Sequence, residues 1–193
     1  MGSSEILKPK LVCWDWSGTI IKSDNLNYFI NNYLFWKNEL DVFPFSQKEK
    51  MKKAWFSFDK SMKSKIQREY KNVEERVEPC INPYALGLID FFADHEIKQG
   101  VVSLASSKQI KVHLGLLGLM QFDFILGSDS GKSPKPDPST LIDIAESLKI
   151  DPRNIWVIGD SELDMDLAKN SGGFGIRVES GLKPVWDMID KCF

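Results

Sequence analysis

Five short apolar runs, separated by stretches of helical periodicity, place the strongest constraint on the fold of this chain. The runs are residues 11–15, 101–104, 122–126, 155–158 and 174–178. Apolar residues recur at helical spacing in the stretches 85–92, 110–117, 141–148 and 163–168. Short buried strands that alternate with helices are typical of a parallel sheet covered by helices on both faces. The pattern therefore predicts an α/β fold built on a parallel sheet, with a final helix at 182–193.

Residues 23–82 break this alternation. They contain no convincing strand and are rich in aromatic and charged side chains. We predict a small helical domain inserted after the first strand, with the α/β core formed by residues 1–22 and 83–193. Within the insertion, residues 48–71 hold nine basic and three acidic side chains. This composition is typical of a solvated helix face, and the alternative is a positive surface that attracts an anionic substrate.

The bulk composition excludes several classes of protein. The chain has 193 residues, 42% of them hydrophobic and 27% charged, with a formal net charge of −2. That balance argues against disorder and gives no basic excess of the kind that nucleic-acid binding needs. Three widely spaced cysteines indicate reduced thiols. The start of the sequence lacks a signal-peptide pattern, and no apolar run is long enough to span a bilayer. We therefore expect a cytoplasmic protein without a membrane partner.

Chemistry-bearing side chains follow the predicted strands. Ligands of a parallel sheet bind at the carboxyl ends of its strands, where this sequence offers Asp15, Ser103, Asp123 or the loop after it, and Asp160, which Asp164 follows. Lys135 lies in a loop between two prolines, which fix where its side chain leaves the backbone. Carboxylates can chelate Mg²⁺, while a hydroxyl and a lysine can hold a phosphoryl group. A carboxylate nucleophile can then divide the reaction into two displacements.

These residues stand in four short motifs: D-W-S-G-T at Asp15, V-V-S at Ser103, K-P-D-P at Lys135 and G-D-S-E-L-D at Asp160. In this order they resemble the four motifs of the haloacid dehalogenase (HAD) superfamily. Ser106 is a fallback for the second motif, and Lys132 is a weaker candidate for the third. The resemblance covers residues 11–22 and about 83–181. It implies a Rossmann-like core, with 23–82 in the position of the family's helical C1-type cap.

The resemblance also implies a metal site. Asp15 would be the nucleophile and a Mg²⁺ ligand, and the backbone carbonyl of Ser17 would be a second ligand. Asp160 would bind the metal directly. Asp164 would bind it through water or orient the site.

The phosphoryl group of a small phosphorylated substrate is implied to lie beside this metal. Ser103 and Lys135 would hold it. Gly18 would permit the tight turn after the first strand, and Thr19 would form a hydrogen bond near the nucleophile.

The first motif departs from the family pattern, because Ser17 stands where phosphatases carry a second aspartate that acts as general acid and base. A serine hydroxyl is not a useful acid or base near neutral pH. General acid–base catalysis contributes about 10²–10⁴-fold, so we expect a slow hydrolase, or one restricted to substrates with good leaving groups.

Two alternatives stay open for the function. One is a catalytically weak or silent protein that binds metal and a phosphorylated ligand. The other is a phosphonatase-like C–P hydrolase, because phosphonatases carry D-W-A-G-T and a Schiff-base lysine in the cap, for which Lys52 or Lys53 could be proposed. A receiver domain, which is also phosphorylated on aspartate, is disfavoured because Lys135 precedes Asp160 and a long insertion follows the first strand.

Overall fold

A parallel sheet of five strands forms the core in a computed structural model of the chain, which describes residues 7–43, 47–74, 79–82, 84–178 and 181–193. The strands are β1 (Leu11–Trp14), β2 (Lys98–Val102), β3 (Phe124–Leu126), β4 (Ile155–Gly159) and β5 (Phe174–Arg177). Their order across the sheet is β3-β2-β1-β4-β5, and every neighbouring pair is parallel. The predicted α/β class is confirmed.

Helices cover both faces of this sheet, and the alternation of side chains along β1 shows why. The helices after the insertion are α4 (Ala85–Asp94), α5 (Ser107–Leu117), α6 (Ser139–Ser147), α7 (Glu162–Ser171) and α8 (Lys183–Cys192). Val12 and Trp14 point to one face, where they share a core cluster with residues of α4, α5 and α8. Leu11 and Cys13 point to the other face, against α6 and α7. All four side chains are fully buried, so β1 reads as an uninterrupted apolar run.

Strand β2 starts three residues earlier than the sequence predicts. Gln99 interrupts the apolar pattern, yet its side chain is buried and fully used: it accepts a hydrogen bond from Trp14 Nε1 at 3.0 Å and donates one to the Ile89 carbonyl at 2.8 Å. The bonds remove most of the cost of burying an amide. Because β2 ends at Val102, Ser103 is the first residue beyond the strand.

The helical insertion forms a separate unit of residues 22–80, whereas the sequence prediction places it at 23–82. Its helices are α1 (Ser23–Lys37), α2 (Lys48–Ser57) and α3 (Lys60–Glu74). It has a core of its own, made by Ile30, Leu34, Phe35, Met51 and Ile66. The chain leaves the α/β unit and returns to it at the same place, because Ile21 and Ile81 form an antiparallel bridge.

Two main-chain hydrogen bonds extend this bridge. Lys22 N donates to the Cys80 carbonyl and Asn82 N donates to the Ile20 carbonyl, both at 2.8 Å. Within the ranges that the structure describes, every helix is too short or too polar to cross a membrane.

Candidate active site

Three aspartates meet at the carboxyl edge of the two central strands. Asp15 directly follows β1 and Asp160 directly follows β4, and these strands are neighbours. The backbone N–H of Asp15 donates to the Ile158 carbonyl at 2.8 Å, which extends the ladder to the edge. One carboxylate oxygen from each of Asp15, Asp160 and Asp164 lies within 4.8 Å of the other two. An all-oxygen donor set of this kind suits a hard divalent cation such as Mg²⁺.

Lys135 lies between two of these carboxylates. Its Nζ donates to Asp15 Oδ1 at 2.7 Å and to Asp164 Oδ1 at 2.5 Å. The three side chains are 4%, 8% and 1% exposed, in the order Lys135, Asp15, Asp164. The predicted lysine of the K-P-D-P motif therefore does meet the predicted nucleophile. With both carboxylates ionised, the ammonium of Lys135 offsets only one of the two negative charges, and the buried group keeps a net negative charge that a bound cation could neutralise.

The charges of this cluster depend on burial and on each other. Burial raises the pKa of Asp15 to about 6, although the attraction of Lys135 opposes the rise. Burial by itself would lower the pKa of Lys135, but the carboxylates of Asp15 and Asp164 outweigh it and the pKa is raised. Lys135 is therefore a fixed cation at physiological pH. A cation bound by the carboxylates would further favour the ionised form of Asp15.

Asp164 is held in place by the start of α7. Its Oδ2 accepts a hydrogen bond from Ser161 N at 3.1 Å, which is one half of a capping box, and a second bond from Ser161 Oγ at 2.5 Å. Its other oxygen accepts from Lys135. Both oxygens of Asp164 thus have protein partners, which suits an orienting role better than direct binding of a metal. Ser161 is a residue that sequence reasoning missed, although the S-x-x-D spacing of a helix start could have revealed it.

Two glycines make room for the carboxylates. Gly18 has φ of +93°, and a Cβ built on it would lie 2.1 Å from Asp160 Oδ2. A Cβ on Gly159 would lie 2.2 Å from Asp164 Cγ. Gly18 was predicted for its turn, and the structure adds that Asp160 packs directly against it. The sequence places Gly159 in the fourth motif without a reason for a glycine there. The close approach of Asp164 gives that reason, because a Cβ at this position would overlap its carboxylate.

The predicted serines lie in different surroundings. Ser17 is partly exposed and forms a bridge with Ile21, in the turn that follows Asp15. Ser103 is buried, and its Oγ accepts a 3.2 Å hydrogen bond from Ala105 N. Ser106, the fallback for the second motif, is the N-cap of α5, where its Oγ accepts from Gln109 N at 3.2 Å. Each hydroxyl thus accepts one backbone hydrogen bond, and Ser103 is the better candidate because it lines a cavity together with Lys135, whereas Ser106 does not.

Ser103 and Lys135 also line one cavity of about 260 Å³, and Lys132 contributes to the same cavity. Lys132 makes no contact with the aspartates that the structure describes, which favours Lys135 as the lysine of the third motif.

Thr19 is fully buried, and its carbonyl accepts a hydrogen bond from Asn82 Nδ2 at 2.9 Å. Its hydroxyl has no hydrogen-bond partner among the described residues. Asn82 therefore holds the turn that carries Gly18 and Thr19, a role for which the sequence gives no signal.

Comparison with known proteins yields one family and several relatives. Residues 12–178 match the family model described as haloacid dehalogenase-like hydrolase. A phosphoglycolate phosphatase of Neisseria gonorrhoeae (strain ATCC 700825 / FA 1090) is 42% identical over 66 residues, which cover 34% of this chain and only 28% of that protein. A Clostridium perfringens (strain 13 / Type A) protein provisionally named pyrophosphatase PpaX is 28% identical over an alignment of 182 residues, which covers 84% of this chain and 80% of that protein.

Among solved structures, a hydrolase from Streptococcus pneumoniae TIGR4 superimposes with a TM-score of 0.74 at 14% identity, covering 95% of this chain and all of that one. At such low identity the likeness concerns the fold alone.

Proposed function

Because the chain belongs to the haloacid dehalogenase-like hydrolase family, we propose that it hydrolyses a small phosphorylated metabolite through an aspartyl phosphate on Asp15, with Mg²⁺ as cofactor. The observation that carries the proposal is the meeting of Asp15, Asp160, Asp164 and Lys135 at one edge of the sheet. The names of the relatives, a phosphoglycolate phosphatase and a pyrophosphatase, support phosphate chemistry.

Asp15 would act as the nucleophile. An oxygen of its carboxylate forms a bond to phosphorus while the bond from phosphorus to the leaving oxygen breaks. Water then attacks the phosphorus of the aspartyl phosphate and displaces the carboxylate, which releases inorganic phosphate and restores Asp15. Burial raises the pKa of Asp15 to about 6, so its carboxylate is still mostly ionised at neutral pH.

Lys135 and Ser103 would bind the transferring group. Lys135 is a buried cation already in contact with the nucleophile, and Ser103 lines the same cavity. In the bound state the ammonium would interact with the phosphoryl oxygens, where it offsets the negative charge that otherwise repels an anionic nucleophile. Gly18 and Thr19 lie in the turn that follows Asp15. Gly18 would permit this turn beside the phosphoryl group, and Thr19 would form a hydrogen bond near the nucleophile.

Asp15, Asp160 and the backbone carbonyl of Ser17 would hold Mg²⁺, with Asp164 orienting the site. When bound, the ion supplies Lewis-acid neutralisation of the phosphoryl oxygens. These ligands are all oxygen atoms, and such a set favours Mg²⁺ over a softer metal.

Ser17 sets the limit on the rate. No carboxylate stands at this position, so the leaving oxygen must take its proton from solvent and the attacking water has no strong base. The loss of rate should be smallest for substrates whose leaving group is a weak base, because such a group can depart without first taking up a proton. The helical unit of residues 22–80 is proposed as the cap that selects the substrate.

The test is Mg²⁺-dependent release of phosphate from 4-nitrophenyl phosphate, phosphoglycolate and pyrophosphate by the wild type and by D15N, S17D and D166N. We expect slow wild-type turnover that D15N abolishes, and a gain of about tenfold or more in S17D on the poorer leaving groups. D166N removes an exposed acid of α7, two residues after Asp164, and serves as the control, with unchanged rates. Turnover by D15N at the wild-type rate would remove Asp15 as the nucleophile.

The second candidate is a protein that binds metal and a phosphorylated ligand without turnover, and Ser17 is the observation that favours it. A silent wild type together with an active S17D would select this alternative.

The phosphonatase alternative gains no support. Lys52 is 60% exposed and pairs with Glu49 at 2.9 Å, and Lys53 is also exposed. Neither has the desolvated surroundings that activate a lysine for Schiff-base chemistry.

A further inference from the structure

The helical unit contains a cavity of about 330 Å³ that is open to solvent and lined by residues of α1, α2 and α3. Six large apolar or aromatic side chains line it: Phe35, Met51, Trp55, Phe56, Ile66 and Tyr70. Phe35, Met51 and Ile66 also belong to the buried core of the unit. The cavity is therefore an opening into that core.

Its size and lining are those of a small-molecule site. Ligand sites commonly measure about 300–1,000 Å³ and have mostly apolar walls with a few polar groups that orient the ligand. The polar groups here are Asn31, Lys52 and Gln67. An apolar cavity of about 150 Å³ is already enough to hold a benzene ring, so this one accommodates an aromatic ring or a short acyl chain.

The charge around the cavity is mainly positive. Lys52 is the charged residue of the lining among the described residues, and the carboxylate of Glu49, which pairs with it at 2.9 Å, lies outside that lining. Lys63 lies close to the same wall, since its Nζ donates to the carbonyl of Phe56 at 3.0 Å. The exposed Lys50 and Lys53 flank Lys52 on α2. An apolar chamber with a positive rim favours a ligand whose apolar body ends in an anion.

We propose that this cavity binds a small organic anion with an aromatic or aliphatic body, held with its charged end near Lys52 and its body against Phe56 and Trp55. The proposal goes beyond the phosphohydrolase function, because it needs none of the aspartates at the sheet edge. It also gives a specific role to part of the basic stretch 48–71.

The experiment is isothermal titration calorimetry of the full chain with 4-phenylbutyrate, compared with the neutral 4-phenylbutanol. Two variants change the cavity: K52E reverses the charge at the rim and F56A removes a wall that is 75% exposed. Two matched controls alter the same unit outside the lining: K60E on α3 and W36A, whose side chain is 67% exposed. Circular dichroism and thermal melting show whether each variant is folded.

We expect saturable binding with one site per chain, at least tenfold tighter for the carboxylate than for the alcohol. K52E should weaken the binding of the carboxylate about tenfold and leave that of the alcohol within twofold. F56A should weaken the binding of both about fivefold, because it removes apolar contact area. K60E and W36A should bind both within twofold of the wild type.

Absence of saturable binding by the wild type would overturn the proposal, and so would equal losses in K52E and K60E. Binding of the alcohol as tight as that of the carboxylate would also overturn it, because the positive rim would then have no role. The readout does not involve turnover, so a failure here and a failure of the phosphatase assay are distinguishable.

Discussion

Replacement of Lys135 by methionine should destabilise the protein far more than loss of a surface lysine. The change removes a cation buried between Asp15 and Asp164 and keeps most of the side-chain volume. Removing one partner from a buried ion pair costs about 3–5 kcal/mol, because the remaining charge is uncompensated. Burial already raises the pKa of Asp15 to about 6, so Asp15 can take up a proton and limit the cost. We therefore expect a loss of about 3 kcal/mol in the free energy of unfolding at pH 7.

The chain offers a matched control for K135M. Lys183 pairs with Asp187 at 2.7 Å, the same distance that separates Lys135 from Asp15, but its side chain is 75% exposed. An exposed ion pair contributes little to stability because solvent screens it, so K183M should leave the free energy of unfolding close to that of the wild type. The two contacts have equal length, and they differ in burial and in the number of carboxylates around the lysine, which is two for Lys135 and one for Lys183.

Urea unfolding in a metal-free buffer measures both losses by linear extrapolation. The double variant K135M/D15N should recover part of the stability that K135M loses, because the uncompensated carboxylate is removed with the cation. If K135M proves as stable as K183M, the lysine does not lie between the carboxylates. The proposed binding of the phosphoryl group would then lose its structural basis.

Three further outcomes follow from the core unit. G159A would place a Cβ 2.2 Å from Asp164 Cγ, so we expect it to displace that carboxylate and cost about 1–3 kcal/mol by overpacking, as measured by urea unfolding. Millimolar Mg²⁺ should raise the melting temperature of the wild type because it binds the folded state, and D160N should abolish most of that rise. C13S puts a hydroxyl at a fully buried position in the core, which should cost about 1–3 kcal/mol and lower the urea midpoint; an unchanged midpoint would mean that the hydroxyl finds a hydrogen-bond partner there.

The sheet was predictable because its strands are buried on both faces and so appear as apolar runs. β1 and β4 carry that signal without interruption, and their ends correctly located Asp15 and Asp160. The start of β2 could not be predicted because of Gln99. Its side chain is buried with both polar groups hydrogen-bonded, but in the sequence a polar residue of this kind looks like part of a loop. The order β3-β2-β1-β4-β5 brings β1 beside β4, and no local pattern encodes that adjacency.

The site was predictable in its residue types and less so in its detailed contacts. The carboxylates and the lysine were recognisable from their positions at strand ends and between prolines. One oxygen of Asp164 is bound by Ser161 and the other by Lys135. These contacts depend on how the start of α7 packs against the loop that carries Lys135, and local sequence does not encode such tertiary packing. The roles of Ser17, Ser103 and Thr19 stay predictions, since their tests are kinetic.

The antiparallel bridge between Ile21 and Ile81 bears on how such a chain can change over evolutionary time. Because the backbone leaves the sheet and returns to it at adjacent residues, a turn of a few residues could close the gap. The whole segment between these two points can therefore be deleted, enlarged or exchanged for another while every strand of the sheet keeps its neighbours. Under the proposed role of this segment as a cap, selection for new substrates can act on it while Asp15 and Asp160 keep their places at the ends of β1 and β4.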